Sequence, residues 1–221
     1  MKPIRYLHLQ LRLEGKVIVE ERFIREVEAV PGEDVPLLLV AGLADGKVVA
    51  YCDEALARDL QAMLTARIAN LDFPAIDPLL DALRKQGVQC EVGHYKTYVF
   101  PSIQVSDRNV RCLSNDDERV KTFGFDGFAR NVYVVEREGR IVSACVSTRE
   151  DEKCGEAWVF TAPDDRRQGL AGKVVSAWAG SLIRAGKVPF YSHKIDNLAS
   201  ANLAKRLGLQ PVFEELVIIR A

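Results

Sequence analysis

The chain has 221 residues, and its 30 Lys and Arg are balanced by 31 Asp and Glu, with three His and a formal net charge of −1. That balance excludes the basic surface on which non-specific nucleic-acid binding rests, so no nucleic-acid partner is expected. A 48% apolar and 28% charged composition is that of an ordinary soluble globular protein with one large domain or two small ones.

No apolar run approaches the ~20 residues of a membrane span. Met1–Lys16 shows neither an uninterrupted apolar core nor a small-residue cleavage site, so it is not read as a signal peptide. The five cysteines (Cys52, Cys90, Cys112, Cys145 and Cys154) are odd in number and form no CxxC pair. They are read as reduced, mostly buried thiols, and the expected location is the cytoplasm, with no membrane association. His8, His94 and His193 have no ligand spacing to one another or to Cys, so no metal is expected.

In chain order, "YLHLQLRL" alternates with period two and predicts a strand. "PLLLVAGLADGKVVAYC" predicts a hairpin turning at Asp45-Gly46. "DEALARDLQAMLTARIANL" predicts a helix capped by Asp53, and "DPLLDALRKQG" a second one capped by Asp77, with Pro78 in its first turn and Gly87 as its stop. "VQCEVGHYKTYVF" reads as a strand. The polar stretch from Pro101 to Asn109 is the best domain boundary, and it divides a segment 1–104 from a segment 105–221.

Beyond it come a short strand, "NVRCL", and a short helix, "SNDDERV", capped by Ser114. A hairpin turning at Glu138-Gly139 and a third strand, "EAWVFTA", follow. Next is a helix with Leu170, Val174, Trp178 and Leu182 on one stripe and Gly186 as its stop. The chain closes with the strand "VPFYSH", a helix opened by Asn197 and closed by Gly208, and the strand "PVFEELVII". The fold class is therefore α/β with a mixed sheet. Element order is weakly similar between the two halves.

The segment "TAPDDRRQGLAGKVVSAW" piles charge directly before a helix, which suggests an anion-binding loop. A P-loop is excluded, because the spacing of Gly169, Gly172 and Lys173 is wrong and Val174 stands where a hydroxyl is needed. A dinucleotide fingerprint is excluded as well, since only Gly169 and Gly172 are present. What fits is strand, charged loop, then Arg-x-x-Gly-x-Ala opening a helix, in Arg166, Gly169 and Ala171. Helix N-terminal amides have no internal partner and the dipole is positive there, so a diphosphate can sit on the backbone while Arg166 and Arg167 add charge. A charged surface turn is the other reading of this segment alone.

Together with "NLASANLAKRLGL" downstream, this segment resembles the GCN5-related N-acetyltransferase (GNAT) superfamily. Its first motif, V-x-P-x-x-R-x-x-G-x-G/A, is matched by Thr161-Ala162-Pro163, Arg166, Gly169 and Ala171. Its second motif is matched by Asn197, Ser200 and Lys205 to Leu209. The likeness covers about Val105 to Ala221. It is nearest to the branch that includes zwittermicin-type resistance acetyltransferases, where a divergent N-terminal segment precedes and packs on the acetyltransferase domain. Residues 1–104 would be a degenerate second half, a wall of the acceptor site or a dimer surface, in a monomer or homodimer.

The resemblance implies acetyl-CoA as cosubstrate, two strands that splay, and an amine of a small molecule attacking the thioester directly. Backbone groups of Phe160 and Thr161 would pair with the pantetheine. Arg166, Arg167, Gln168, Gly169, Leu170, Ala171 and Gly172 would wrap the pyrophosphate, with Asn197 and Ser200 toward the thioester end. Lys205 would reach the phosphate end or stand as a solvated charge. Glu156 is the candidate base or a solvent-facing strand-end carboxylate; alternation puts it on one face of its strand with Trp158 and Phe160.

The family's usual tyrosine acid is replaced by Ala204, which leaves Ser200, Tyr191 or water to protonate the leaving thiolate. His193 is a further proton carrier or a structural ring, and no activating partner is identifiable for Cys154. The acidic run Asn115 to Glu118 would attract a cationic amine or simply start a helix. A non-catalytic acyl-CoA sensor is the alternative, and another acyl donor is a third reading.

Overall fold

Pro3 opens a helix where the alternation predicts a strand. In the computed structural model, α1 spans Pro3–Leu13 and buries Leu7, Gln10 and Leu11. The leucines at 7, 9, 11 and 13 suit both periods, because every second step of two is also an i, i+4 step. The segment has a single β-branched residue, Ile4, and a proline in its first turn, both of which favour the helix.

The structure describes residues 1–19, 23–26, 36–68, 71–102, 108–125, 127–128 and 130–221; parts of the predicted boundary (103–107) and of the first long predicted helix (69–70) lie outside them. The chain divides into two compact units. The first comprises Met1–Thr97, Lys194–Asp196 and Pro211–Ala221, and the second Tyr98–His193 and Asn197–Gln210.

The first unit contains β1 (Lys16–Val19), β2 (Phe23–Glu26), β3 (Leu38–Leu43), β4 (Val48–Asp53), α2 (Arg58–Ile68), α3 (Asp77–Lys85), β5 (Cys90–Val99) and β11 (Gln210–Arg220). Its strand order is β1-β2-β4-β3-β11-β5. β3 and β4 form the expected hairpin, with Gly46 at φ +83°, and β11 lies antiparallel on β3. Leu38, Val40, Leu64, Leu79, Leu83 and Ile218 form the centre of its core.

Two predicted caps are corrected here. Asp53 ends β4 and accepts a hydrogen bond from the Ala55 amide, so α2 begins five residues later. Asp77 is the first helical residue of α3, and Ile76 occupies the cap position.

The second unit contains β6 (Arg111–Leu113), α4 (Glu118–Phe123), β7 (Val132–Arg137), β8 (Arg140–Glu150), β9 (Cys154–Thr161), a 3-10 turn (Pro163–Asp165), α5 (Leu170–Arg184), β10 (Val188–Lys194) and α6 (Leu198–Arg206). Its strand order is β10-β9-β8-β7-β6. β7 and β8 turn at Glu138 (φ +49°) and Gly139 (φ +76°) as the sequence predicts. α5 lays Val174, Val175, Trp178 and Leu182 on the sheet, over Val142 and Cys145. A second cluster, with Val120, Phe125, Val134, Ala144 and Val146, forms the core under α4.

α4 is capped by Asp117, whose carboxylate accepts the Arg119 amide, and not by Ser114. Ser114 instead accepts from the Asp116 amide in the preceding turn. Both units thus mix strands and helices, and the sheet is mixed in strand direction, as expected.

Candidate active site

β9 pairs with β10 in parallel at Cys154↔Val188, Gly155↔Pro189 and Glu156↔Phe190, and the pairing ends there. On its other side β9 stays paired with β8 as far as Thr161↔Ser143. The edge of β9 beyond Glu156 is therefore uncovered, which is the splay that the resemblance implies.

After β9 the chain makes its 3-10 turn and enters α5 through a loop with two left-handed residues, Arg167 (φ +60°) and Gly169 (φ +76°). Gly169 is the N-cap and offers no side chain. The first helical bond runs from the Lys173 amide to the Gly169 carbonyl at 3.3 Å, so the amides of Leu170, Ala171 and Gly172 have no helical partner.

The loop is tied down from outside. Asp165, 4% exposed, accepts from Arg137 (3.0 Å) and Arg140 (3.3 Å), while Arg137 also donates to the Gln168 side chain at 2.6 Å. Arg166 donates its Nε–H to the Thr161 carbonyl at 3.1 Å.

A cavity of about 710 Å³ opens at this point, within the size range of small-molecule sites. Thr161, Arg166, Arg167, Gly169, Leu170, Ala171 and Ser200 line it, all of them expected from the sequence. Phe160, Gln168, Gly172 and Asn197 do not. The Gln168 side chain is engaged by Arg137, and Asn197 is the N-cap of α6, accepting the Ser200 amide at 3.1 Å.

Lys205 is on the cavity wall, together with Arg206, which the sequence reading missed. The signal was available, since Ala199, Asn202, Leu203 and Arg206 recur at i, i+3, i+4 and i+7 and form one face of α6. Among the described residues four cations thus line the cavity, and the carboxylate on its wall, Asp165, is occupied by two arginines. With the free amides at the start of α5, the residues fit a phosphate-bearing ligand.

Tyr191 lies one residue beyond the last β9–β10 pair and also lines this cavity. Its side chain is buried, and the half-buried Ser200 lines the same wall. Burial pushes its phenol above the ordinary range, with Ser200 opposing. Ala204 is fully buried in the core under α5.

Glu156 is buried at the end of the paired stretch, 2.9 Å from the Arg149 guanidinium. His193 is buried and stacks on Tyr98 at 5.5 Å. Cys154 is fully buried, with its thiol directed to Asp151. In the acidic run, Asp117 is held at a pKa of about 2 by its hydrogen bonds to Arg119, and Glu118 pairs with Lys121 at 2.7 Å. Among the described residues no group of three or more His, Cys, Asp or Glu is placed to hold a metal ion, and no helix is long and apolar enough to cross a membrane.

The family model of the GNAT acetyltransferases matches residues 105–215. The chain belongs to this family; the match is to the family and does not single out the zwittermicin-type branch. No curated protein matches the chain.

Among solved structures the chain is similar to a functionally unknown conserved protein of Staphylococcus epidermidis, with a TM-score of 0.56 at 14% identity over 96% of this chain and 97% of that one. It is also similar to a GCN5-related N-acetyltransferase from Kribbella flavida, with a TM-score of 0.51 at 14% identity over 98% and 94%. A GNAT-family structure from Novosphingobium aromaticivorans gives a TM-score of 0.50 at 17% identity over 59% of this chain, which spans 66% of that one. At these identities the likeness shows the fold.

Proposed function

We propose that the protein transfers an acetyl group from acetyl-CoA to the amine of a small molecule by direct attack. The observation that carries this reading is one cavity lined both by an anion cradle, at the start of α5, and by the hydroxyl side chains of Tyr191, which is buried, and Ser200.

Arg166, Arg167 and the amides from Gly169 to Gly172 would hold the pyrophosphate, with Lys205 and Arg206 adding positive charge. The uncovered edge of β9, at Phe160 and Thr161, would pair with the pantetheine. When bound, acetyl-CoA supplies an acyl thioester whose C–S bond is exchanged for a C–N bond to the acceptor. Glu156 accepts the proton that the amine nitrogen loses, and Arg149 fixes the carboxylate in place. Tyr191, with Ser200 orienting its hydroxyl, donates a proton to the departing sulfur in the role that Ala204 cannot fill. A sensor that only binds would have no use for a proton-bearing phenol at this point, so the catalytic reading is preferred.

The test is calorimetric titration with acetyl-CoA for the wild type and Arg166→Ala, followed by thiol release with a panel of amines. Micromolar binding weakened in the variant, and release that depends on an amine, support the proposal. Absence of binding by the wild type overturns it.

A further inference from the structure

The face of β9 opposite the cavity carries large rings into solvent. Trp158 is 43% exposed and Phe160 39%, although β9 is paired with a neighbouring strand on each side over part of its length. Exposed aromatic area that is contiguous marks an interaction surface.

These rings are organised. Phe125, 2% exposed and rooted in the core under α4, stacks on Trp158 at 4.6 Å with an interplanar angle of 12°. Phe128 tilts against the same indole at 4.9 Å. Phe123 meets Phe160 edge-on at 5.6 Å and Phe125 at 5.4 Å. The indole is thus held from beneath while much of it stays open, so a further flat ring can extend the stack at little ordering cost.

The charges around the shelf narrow the occupant. Glu156, two residues before Trp158, is paired with Arg149, and Asp117 and Glu136 are both paired with Arg119. A polyamine or an aminosugar is recognised by several open carboxylates, and among the described residues these three are each held by an arginine. The ring faces themselves attract a single cation: the Arg166 guanidinium already stands 5.8 Å over Phe160. The shelf also begins where β10 leaves β9, after Glu156, so the uncovered strand edge borders both this face and the cavity face.

Resting on the acetyl-transfer reading, we propose that Trp158, Phe160 and Phe125 form the acceptor subsite, and that the acceptor is a primary amine bearing an aromatic ring, an arylalkylamine.

The two tryptophans make this testable without turnover, because Trp178 is 1% exposed and Trp158 is the open one. Phenethylamine is titrated into the wild-type protein under indole-selective excitation, with putrescine and glucosamine in parallel. Acetyl transfer to the three amines is then compared in the wild type, Trp158→Leu and Phe160→Leu. The expected result is saturable quenching by phenethylamine alone. In both variants the KM for phenethylamine should rise roughly tenfold, and in Trp158→Leu, which touches no group assigned to the cofactor, acetyl-CoA affinity should stay within about twofold of wild type, as the loss of one aromatic contact implies.

Absence of a saturable response, or putrescine or glucosamine accepted as well as phenethylamine and equally in the variants, overturns the subsite. Saturable quenching by phenethylamine in a protein that transfers to no amine keeps the ligand class but overturns the acceptor role. Failure to bind acetyl-CoA, by contrast, removes the reading on which that role rests, so the two failures are distinct.

Discussion

The Tyr191 phenol and Ser200 line the wall of one cavity, although one belongs to β10 and the other to α6, and Ser200 opposes the upward push that burial gives the phenol. Tyr191→Phe should therefore lower kcat by about 10²-fold, the size of a lost general acid, and leave acetyl-CoA affinity within about twofold. Burial raises the phenol above its ordinary 10.0. Its contribution to stability is then complete below pH 10 and is lost as pH rises through the folded value. Burial raises Tyr51 and Tyr133 as well, so tyrosinate absorbance should show several late-titrating tyrosines in the wild type and one fewer in the variant. An unchanged kcat would remove Tyr191 from the mechanism.

The Asp165 carboxylate is nearly buried between Arg137 and Arg140, and Gln168 is held by the same Arg137. Asp165→Asn should loosen the loop before α5. Both arginines are largely exposed, so the stability cost should stay near 1 kcal/mol. Acetyl-CoA affinity should fall about tenfold, because the anion cradle loses its preorganisation. Thermal denaturation and calorimetry on the same sample separate the two effects.

Two glycines at the cradle should respond in opposite directions. Gly169 has φ +76° and open space where a Cβ would stand, so Gly169→Ala is penalised by backbone strain alone, by about 1–2 kcal/mol. Gly172 has ordinary helical geometry, and its Cβ would meet Leu207 at 3.7 Å and Leu203 at 3.8 Å, which is normal contact. Gly172→Ala should stabilise by about 0.5–1 kcal/mol. Urea unfolding of both variants checks the signs.

In the first unit, burial lowers the pKa of His8 below 6.5, and its Nε2 lies 3.0 Å from the Tyr51 hydroxyl. The unfolded chain binds the proton more readily. Stability from this group is therefore present above pH 6.5 and declines as pH falls through 6.5 toward the folded value. His8→Gln should flatten the stability profile below pH 6.5, as followed by urea midpoints. A slope unchanged by the substitution would assign the acid sensitivity to other groups.

Local chemistry was legible wherever one residue type was physically required. Asp45-Gly46 and Glu138-Gly139 turn hairpins because Gly46, Glu138 and Gly139 take left-handed backbone there, and Asn197 sits at the cap it signals. Ser114 failed as a cap because Asn115, Asp116 and Asp117 lie nearer the start of α4, whereas Asp53 failed because a turn intervenes before α2 and Asp77 because α3 starts one residue earlier than its acceptor suggests. α1 was misread because leucines at every second position satisfy the helical stripe as well, and which ones are buried depends on what packs against them.

By itself, the sequence determined the family, the α/β class and most of the loop that lines the cavity, since Arg-x-x-Gly-x-Ala and the Asn-x-x-Ser step act through backbone geometry within a few residues. Only the tertiary structure decided what those loops face. It put Tyr191 against Ser200, engaged Glu156 with Arg149 and Asp165 with two arginines of the β7–β8 hairpin, and left Trp158 open on a stacked Phe125. Each of these pairs joins residues separated along the chain, and their energies depend on burial and orientation, which exist only once the strands and helices have packed.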